Sequence, residues 1–398
     1  MPLLLAAIGA MVACTPNPSI PVGDPLPAIA GVSQPESVDR GRWQPTIRSP
    51  RRPRTVVEPE LARRCGAPDE ALQKAAENLA SGGTAHAPTL DMPRLEFELR
   101  VAGAPYVWPH LWTVASRKLD SEDVARRFDR WLATFSDGGE RRCGLASVRD
   151  DTGRERIVAV VVDALVDLEP LPSTTSVGRW LEVEARLLVP AGPTSVVLLG
   201  PHGRPRTVPS SRSGSVIKSS FAPSEPGRWL VQVVGQTREG PRPMACAIVH
   251  VDSSPPQTYV SLPVPGETSA PATDSPDRAL ARMLNAARAS EGLARLPRMP
   301  ELDRVAQAHA ESMRAAARLG HDVGDGTVST RLARAGVVVS TAGENVARAG
   351  NVQRAHRVLW ESPSHRDTLL YDRYDAVGVG VASDSNGMVW VCEVFARF

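Results

Sequence analysis

The sequence predicts an α+β protein of three compact units rather than one large core. Three observations carry this. The chain has 398 residues, and at roughly 150 residues per domain that exceeds what one hydrophobic core serves. Its apolar periodicity changes along the chain, from mixed helix and strand, to a series of short strands, to long helices closed by two strands. The 36 prolines exceed the usual fraction of about 5% and gather in two stretches that read as linkers.

Composition removes some functions. The formal net charge is +2, so a chain-wide nucleic-acid surface is excluded and no nucleic-acid partner is expected. Of 46 basic residues only Lys74, Lys118 and Lys218 are lysines, an arginine excess that fits a GC-rich genome better than phosphate binding. No apolar run reaches the roughly 20 residues of a transmembrane helix.

Residues 1–14 (MPLLLAAIGAMVAC) hold a short apolar stretch of signal-peptide length that stops at Cys14. The stretch resembles a bacterial lipobox, with Met11 where Leu is usual, and implies lipid modification of Cys14. The Pro-rich residues 15–57 that follow cannot bury enough to fold and read as a tether. Its arginines from Arg40 to Arg54 read as a solvated strip, with attraction to anionic lipid or wall polymers as the functional alternative. The expected setting is the bacterial cell envelope, with membrane attachment through the lipid, or the extracellular space. Four other cysteines then suit an oxidising compartment. Three pairings are open; Cys65 and Cys143 bracket one unit and are favoured. Cys246 and Cys392 bridge units or stay free.

Residues 58–170 read as an α+β domain: a helix over 58–82, a strand over 95–101 (LEFELRV), a helix over 121–135 capped by Ser121, and a buried strand from Ile157 to Val166. Residues 171–252 carry five short strand-like runs between Pro, Gly and Ser turns, the pattern of an antiparallel β-sandwich. Within it FAPSEPGRWLVQVVG resembles bacterial immunoglobulin-like modules. Residues 253–276 form an exposed linker. In 277–398, helices span Asp277 to Ser290, Pro300 to Leu319 with Gly320 as its stop, and 352–361. Ser362-Pro363 restarts a helix. The strands AVGVGVAS and MVWVCEVFA close the chain around an Asn-Gly turn.

LNAARASEGL, LDRVAQAHAESM, the single His321, RLARAG, AGENVA, WESPSHRDTLL, VGVGVA and WVCEVFA together resemble, in order and spacing, the bacterial CAP superfamily of cysteine-rich secretory, antigen five and pathogenesis-related (SCP-like) proteins. The resemblance covers about 120 residues and implies an α-β-α sandwich in a secreted or envelope-attached protein. It also implies a cleft of two His and two acidic side chains that can hold a divalent metal such as zinc. Matched to this sequence, the four are His321, Glu344, His365 and Glu393. Thr368 departs from the motif, which has Asn there.

The residues agree in part. His365 falls at the third position of its helix, where the dipole keeps an imidazole neutral, and Asp322 can orient His321. No HExxH helix supports a protease. The bland readings are a core role for His309, a solvated or capping role for His356, a capping-box role for His365 and loop bracing by Glu344. No Ser or Cys nucleophile stands in a recognisable motif, and Cys392 reads as buried. The sequence therefore favours a cleft for metal or for a small ligand, lipid or cell-wall fragment over catalysis. The alternative is a metal-assisted hydrolase of peptide or cell-wall bonds.

Residues 143–164 resemble 377–396, each a Gly-containing strand, an acidic turn and a hydrophobic strand after a helix bearing Trp131 or Trp360. EALQKAAENLA resembles 301–313. The first domain thus reads as a degenerate CAP fold without the tetrad, which requires helices on both sides of its sheet.

Overall fold

The helix expected over 58–82 is two helices. Gly66 stands at φ +128°, a conformation L side chains avoid. It separates α1 (Pro59–Cys65) from β1 (Ala67–Pro68) and α2 (Glu70–Ser81). In this computed structural model the described residues are 59–81, 92–136, 138–149, 153–237 and 240–398; the signal segment with Cys14 and the tether 15–57 lie outside them. LEFELRV, expected as a strand, belongs to α3 (Met92–Ala102). Its alternation is also two helical stripes with spacing i, i+4. Leu95 and Leu99 are buried in the core with α2, while Phe97 and Val101 line a cavity elsewhere.

β2 (His110–Ser116), α4 (Ser121–Leu132), β3 (Glu140–Arg149) and β4 (Glu155–Ala164) complete the first unit. Asp120, not Ser121, caps α4, its side chain accepting the Asp123 amide. The sheet runs β1-β3-β4-β2. α2 and α3 cover one face with Leu72, Leu99 and Val160. α1 and α4 cover the other with Leu61, Phe128 and Val161. Cys65 and Cys143 are disulfide-bonded, tying α1 to β3; Cys246 and Cys392 are free and buried.

The middle of the chain holds β5 (Val166–Leu168), β6 (Thr174–Thr175), β7 (Leu181–Leu187), β8 (Thr194–Leu199), β9 (Arg206–Val208), β10 (Ser210–Ser213), β11 (Val216–Phe221), β12 (Gly227–Thr237) and β13 (Gly240–Val251). They form two sheets, β10-β11-β7-β5 and β6-β13-β12-β8-β9. Alternate residues of both sheets, with Ile217, Trp229 and Val231 among them, share one apolar cluster. The β6–β13 pairing is parallel; the others in the two sheets are antiparallel. β5 already belongs here, so the chain leaves the first sheet before residue 170.

The last third comprises α5 (Pro276–Ser290), α6 (Pro300–Ala316), α7 (Val328–Arg334), β14 (Thr341–Ala349), α8 (Val352–Glu361), α9 (Pro363–Leu369), β15 (Ala376–Ser383) and β16 (Val389–Arg397). The antiparallel sheet runs β14-β16-β15. α5, α8 and α9 pack on Val377, Val391 and Phe395; α6 and α7 pack on Val346, Cys392 and Val394. This is an α-β-α sandwich. α6 ends in a left-handed Ala317 (φ +48°) rather than at Gly320. The linker is not wholly exposed. Gly266 lies so close to α5 that a Cβ would overlap the Met283 carbonyl, and Glu267 pairs with Arg357. His356, expected to be solvated or capping, is fully buried with Nε2 2.8 Å from the Pro265 carbonyl oxygen.

The first and last units share register as well as layers. In each, a hairpin (β3–β4, β15–β16) pairs through its second strand with an earlier strand (β2, β14). Gly144 approaches α2 so closely that a Cβ would overlap the backbone of Leu72 and Gln73; Gly380 stands in the same way against Ala306 and Gln307. Leu145 and Val381, the next residues, pair with Ala159 and Val391, which pair in turn with Trp112 and Ala347.

Candidate functional site

Alternation along the strands splits the four expected residues. Glu344 shares the β14 face of Val346, turned to α6 and α7. Glu393 shares the β16 face of Val391 and Phe395, turned to α5, α8 and α9. The two carboxylates therefore stand on opposite faces of the sheet. Asn345 is the register partner of Glu393, and its Nδ2 donates to Glu393 Oε2 at 3.1 Å and to the His365 carbonyl at 3.1 Å. Glu393 is fully buried, and burial pushes its carboxyl up to about 7 despite the Asn345 hydrogen bond. Its Oε1 and the Asn345 Oδ1 have no hydrogen-bond partner among the described residues.

On the other face, Glu344 meets Arg331, to which the sequence reading gave no role, and His309, read as a core histidine. Arg331 of α7 donates Nη2 to both Glu344 oxygens, one of them at 2.8 Å. Its Nη1 donates to the carbonyls of His321, at 2.9 Å, and Gly326. His309 of α6 places Nε2 2.9 Å from the Gly320 carbonyl oxygen and 3.3 Å from Glu344 Oε2, and Nδ1 2.7 Å from Asp325 Oδ2. Both ring nitrogens face oxygen atoms. Burial pushes the Asp325 carboxyl up, but the His309 ring and the Arg331 guanidinium outweigh it and hold the group below its ordinary value.

His321 does come to Glu344, with Nδ1 3.6 Å from Oε2. It is partly exposed, 16% at its side chain against 1% for Glu344, as is Asp325 at 20%. Its Nε2 is buried without a hydrogen-bond partner among the described residues. Asp322 does not orient it, since Asp322 Oδ1 accepts the amides of Gly324 and Gly326. His365 lies at the third position of α9, whose Ser362 cap makes no side-chain cap bond. It is neutral as expected, but burial, reinforced by nearby His321, lowers its pKa to about 3, rather than the dipole of a seven-residue helix. So His321, Glu344, His309, Asp325 and Arg331 meet, His365 lies within electrostatic range of His321, and Glu393 lies on the far face.

This arrangement does not fit a divalent metal. Among the described residues no group of three or more His, Cys, Asp or Glu side chains has the geometry to hold one. The carboxylate that would be the central ligand is already bound by a guanidinium, and a second cation beside it is repelled. The sequence did hold a signal for Arg331, inside the RLARAG motif. Nothing local marked it as the partner of a residue 13 positions away.

The next residue of the Ser-Pro-x-His-Arg motif works at the junction of units. Arg366 Nη1 donates to the Gly200 carbonyl at 3.0 Å, its guanidinium lies 4.3 Å over the Trp360 ring, and Arg204 pairs with Asp367 at 2.7 Å. The motif thus also fixes the sandwich to this unit.

Residues 281–394 match the sequence model of the Cysteine-rich secretory protein (CAP) family. No curated protein matches the chain. Among solved structures it is similar to an outer surface protein of Borrelia burgdorferi, at 19% identity over 30% of this chain and 89% of that one, with a TM-score of 0.29. It is similar to an extracellular SCP-domain protein of Bacillus anthracis, at 21% identity over 48% and 67%, TM-score 0.28. It is similar to a cysteine-rich secretory protein of Staphylococcus aureus, at 15% identity over 55% and 76%, TM-score 0.27.

Proposed function

From a C-terminal domain that belongs to the CAP superfamily, we infer an exported envelope protein that binds or braces and does not hydrolyse. A lipid on Cys14 and the tether 15–57 would hold the folded units at the cell surface. The first unit is read as a degenerate second copy of the CAP fold, and the sandwich as an immunoglobulin-like spacer. One observation favours this over the hydrolase: Glu344, the acid that would hold a metal or move a proton, is tied to Arg331 in the interior. A general acid or base must exchange protons with substrate, and of this group only His321 and Asp325 are partly exposed, Asp325 being tied to His309.

Metal analysis of the purified full chain tests the reading. The expected result is no stoichiometric zinc and no change in melting temperature on adding it. One zinc per chain together with a raised melting temperature restores the hydrolase. The anchor is tested separately: Cys14→Ser should move the protein from the membrane to the soluble fraction, and continued membrane fractionation removes the lipid.

A further inference from the structure

A cavity of about 330 Å³ lies where the three units meet, walled by α3, β12, β13, α8 and residues 255–262 of the linker. The linker wall is lightly held. Val260 and Leu262 are 59% and 70% exposed, the Leu262 amide turns back to the Val260 carbonyl, and Tyr259 meets Phe97 of α3 with ring centroids 5.7 Å apart. This strap is fixed by the turn that follows it, Val264–Glu267. Within the turn the Glu267 amide donates to the Val264 carbonyl at 3.0 Å, and the Val264 amide to Glu267 Oε2 at 3.0 Å. Two adjacent residues of α8 grip it. Arg357 binds both Glu267 oxygens, one of them at 2.9 Å, and reaches Ser261. His356 donates Nε2–H to the Pro265 carbonyl at 2.8 Å. Gly266 is already so close to the Met283 carbonyl that a Cβ would overlap it, so the turn has no room to move inward. Few buried contacts and one polar anchor are the marks of a segment that opens locally.

The surroundings of His356 suit one protonation state. The ring is fully buried. Nε2 faces a carbonyl oxygen and so carries the proton, while Nδ1 has no hydrogen-bond partner among the described residues. A second proton would put an N–H without an acceptor, and a charge, into the interior. The strap supplies one carboxylate near the ring, Glu267, and Arg357 already binds it. The other elements packed on α8 bring charges engaged elsewhere. Arg282 of α5 pairs with Asp274, Arg348 of β14 with Asp384, Arg366 of α9 turns to Gly200, and Glu393 of β16 accepts from Asn345. Burial outweighs the Pro265 bond and Glu267 and holds the ring below its ordinary 6.5. The neutral ring therefore stabilises the docked strap fully above 6.5, and that contribution is lost as pH falls through the lowered value.

We propose that residues 255–267 form an acid-released lid over the junction cavity, with His356 as its latch. The neutral ring holds Pro265; the protonated ring expels the turn, and the linker wall of the cavity opens. The sandwich and the last unit stay joined meanwhile. Their contacts through Arg366 and Gly200 and through Arg204 and Asp367 contain no histidine, and protonating His202 strengthens its contact with Glu291, 3.5 Å away. The lid is separate from the CAP residues around Glu344, so it stands or falls independently of the function proposed above.

The test is hydrogen exchange of the full chain, corrected for the pH dependence of the intrinsic rate and read at the bonded Val264 and Glu267 amides. Their protection should fall at least tenfold from about pH 7.5 to about pH 4.5, while amides of α5 and β16 keep theirs. Burial pushes the Glu267 carboxyl up, but Arg357 outweighs it and holds the group below its ordinary 4.5, so it stays charged over this range. His356→Gln keeps a donor for Pro265 and does not titrate, and should keep the lid protected throughout. In the unsubstituted protein the midpoint of the loss should coincide with the titration of the His356 ring, followed by the NMR signal of its carbon-bound protons. Four results overturn the proposal: unchanged protection, an equal loss in His356→Gln, a midpoint apart from the ring titration, or a loss shared with α5 and β16.

Discussion

Gln73 and Gln307 make the same two bonds in the first and last units. Gln73 Oε1 accepts the Leu145 amide at 3.0 Å while its Nε2 donates to Glu77 at 3.0 Å. Gln307 Oε1 accepts the Val381 amide at 2.9 Å while its Nε2 donates to Glu311 at 2.8 Å. Each follows an acid by four residues, Asp69 or Asp303. Each satisfies an amide on the strand edge away from the hairpin partner, where a ladder bond is missing. A glutamine, a glycine and a strand register repeated together favour two copies of one fold. Extending the register sets His309 against Ala75, Glu344 against Pro109 and Glu393 against Val161. Among the described residues no second helix like α9 stands between α4 and β3. The first unit lacks the polar site position by position.

Removing either glutamine should leave a strand amide unpaired under a helix. Gln73→Ala and Gln307→Ala should each cost about 1–3 kcal/mol, read as a lower denaturation midpoint with an unchanged slope. A loss in only one unit breaks the equivalence.

The two hairpins after Trp-bearing helices were legible in the sequence, because each keeps a Gly-containing strand, an acidic turn and a hydrophobic strand. The strand assigned to LEFELRV was not, since alternation cannot tell a half-buried strand from a helix with two apolar stripes. The second stripe faces the junction, which local pattern does not reveal. For the site, His321 and Glu344 were legible from motifs. Glu393 was placed with them because a motif carries no record of which sheet face a residue occupies. His309 read as a core histidine. It is fully buried, yet its polar partners come from a loop and a strand far along the chain.

Arg331 binds Glu344 and two carbonyls with almost no exposure, so truncating it strands a buried carboxylate. Arg331→Ala should cost about 3–5 kcal/mol. It also removes the cation that excludes metal and leaves His309, His321, Asp325 and Glu344 near one another. Excess zinc should then raise the variant's melting temperature by several degrees and leave that of the unsubstituted protein unchanged. If both stay flat, the donors do not converge even without the guanidinium.

The Cys65–Cys143 bridge closes a segment with a sequence separation of 78. In the chain-entropy account a loop of that size is worth about 4 kcal/mol. Reduction should therefore lower the melting transition of the first unit and leave that of the last unit in place, because Cys392 is not bridged. A common shift of both transitions instead means that the units unfold together.

The pH dependence of the last unit should show two opposed slopes. The Glu393 carboxyl is raised from 4.5 to about 7 by burial. Its contribution to stability is complete below 4.5 and is lost as pH rises towards 7. His365 is lowered from 6.5 to about 3, chiefly by burial. Its contribution is complete above 6.5 and is lost as pH falls towards 3. Between 4.5 and 6.5 the two slopes cancel, and outside that window each acts alone. Glu393→Gln should remove the upper slope, so that relative to the unsubstituted protein it gains about 3 kcal/mol between pH 4.5 and 7. His365→Gln should remove the lower slope. Denaturant melts across this range give the comparison, and parallel curves for Glu393→Gln and the parent show that Glu393 is not held neutral in the interior.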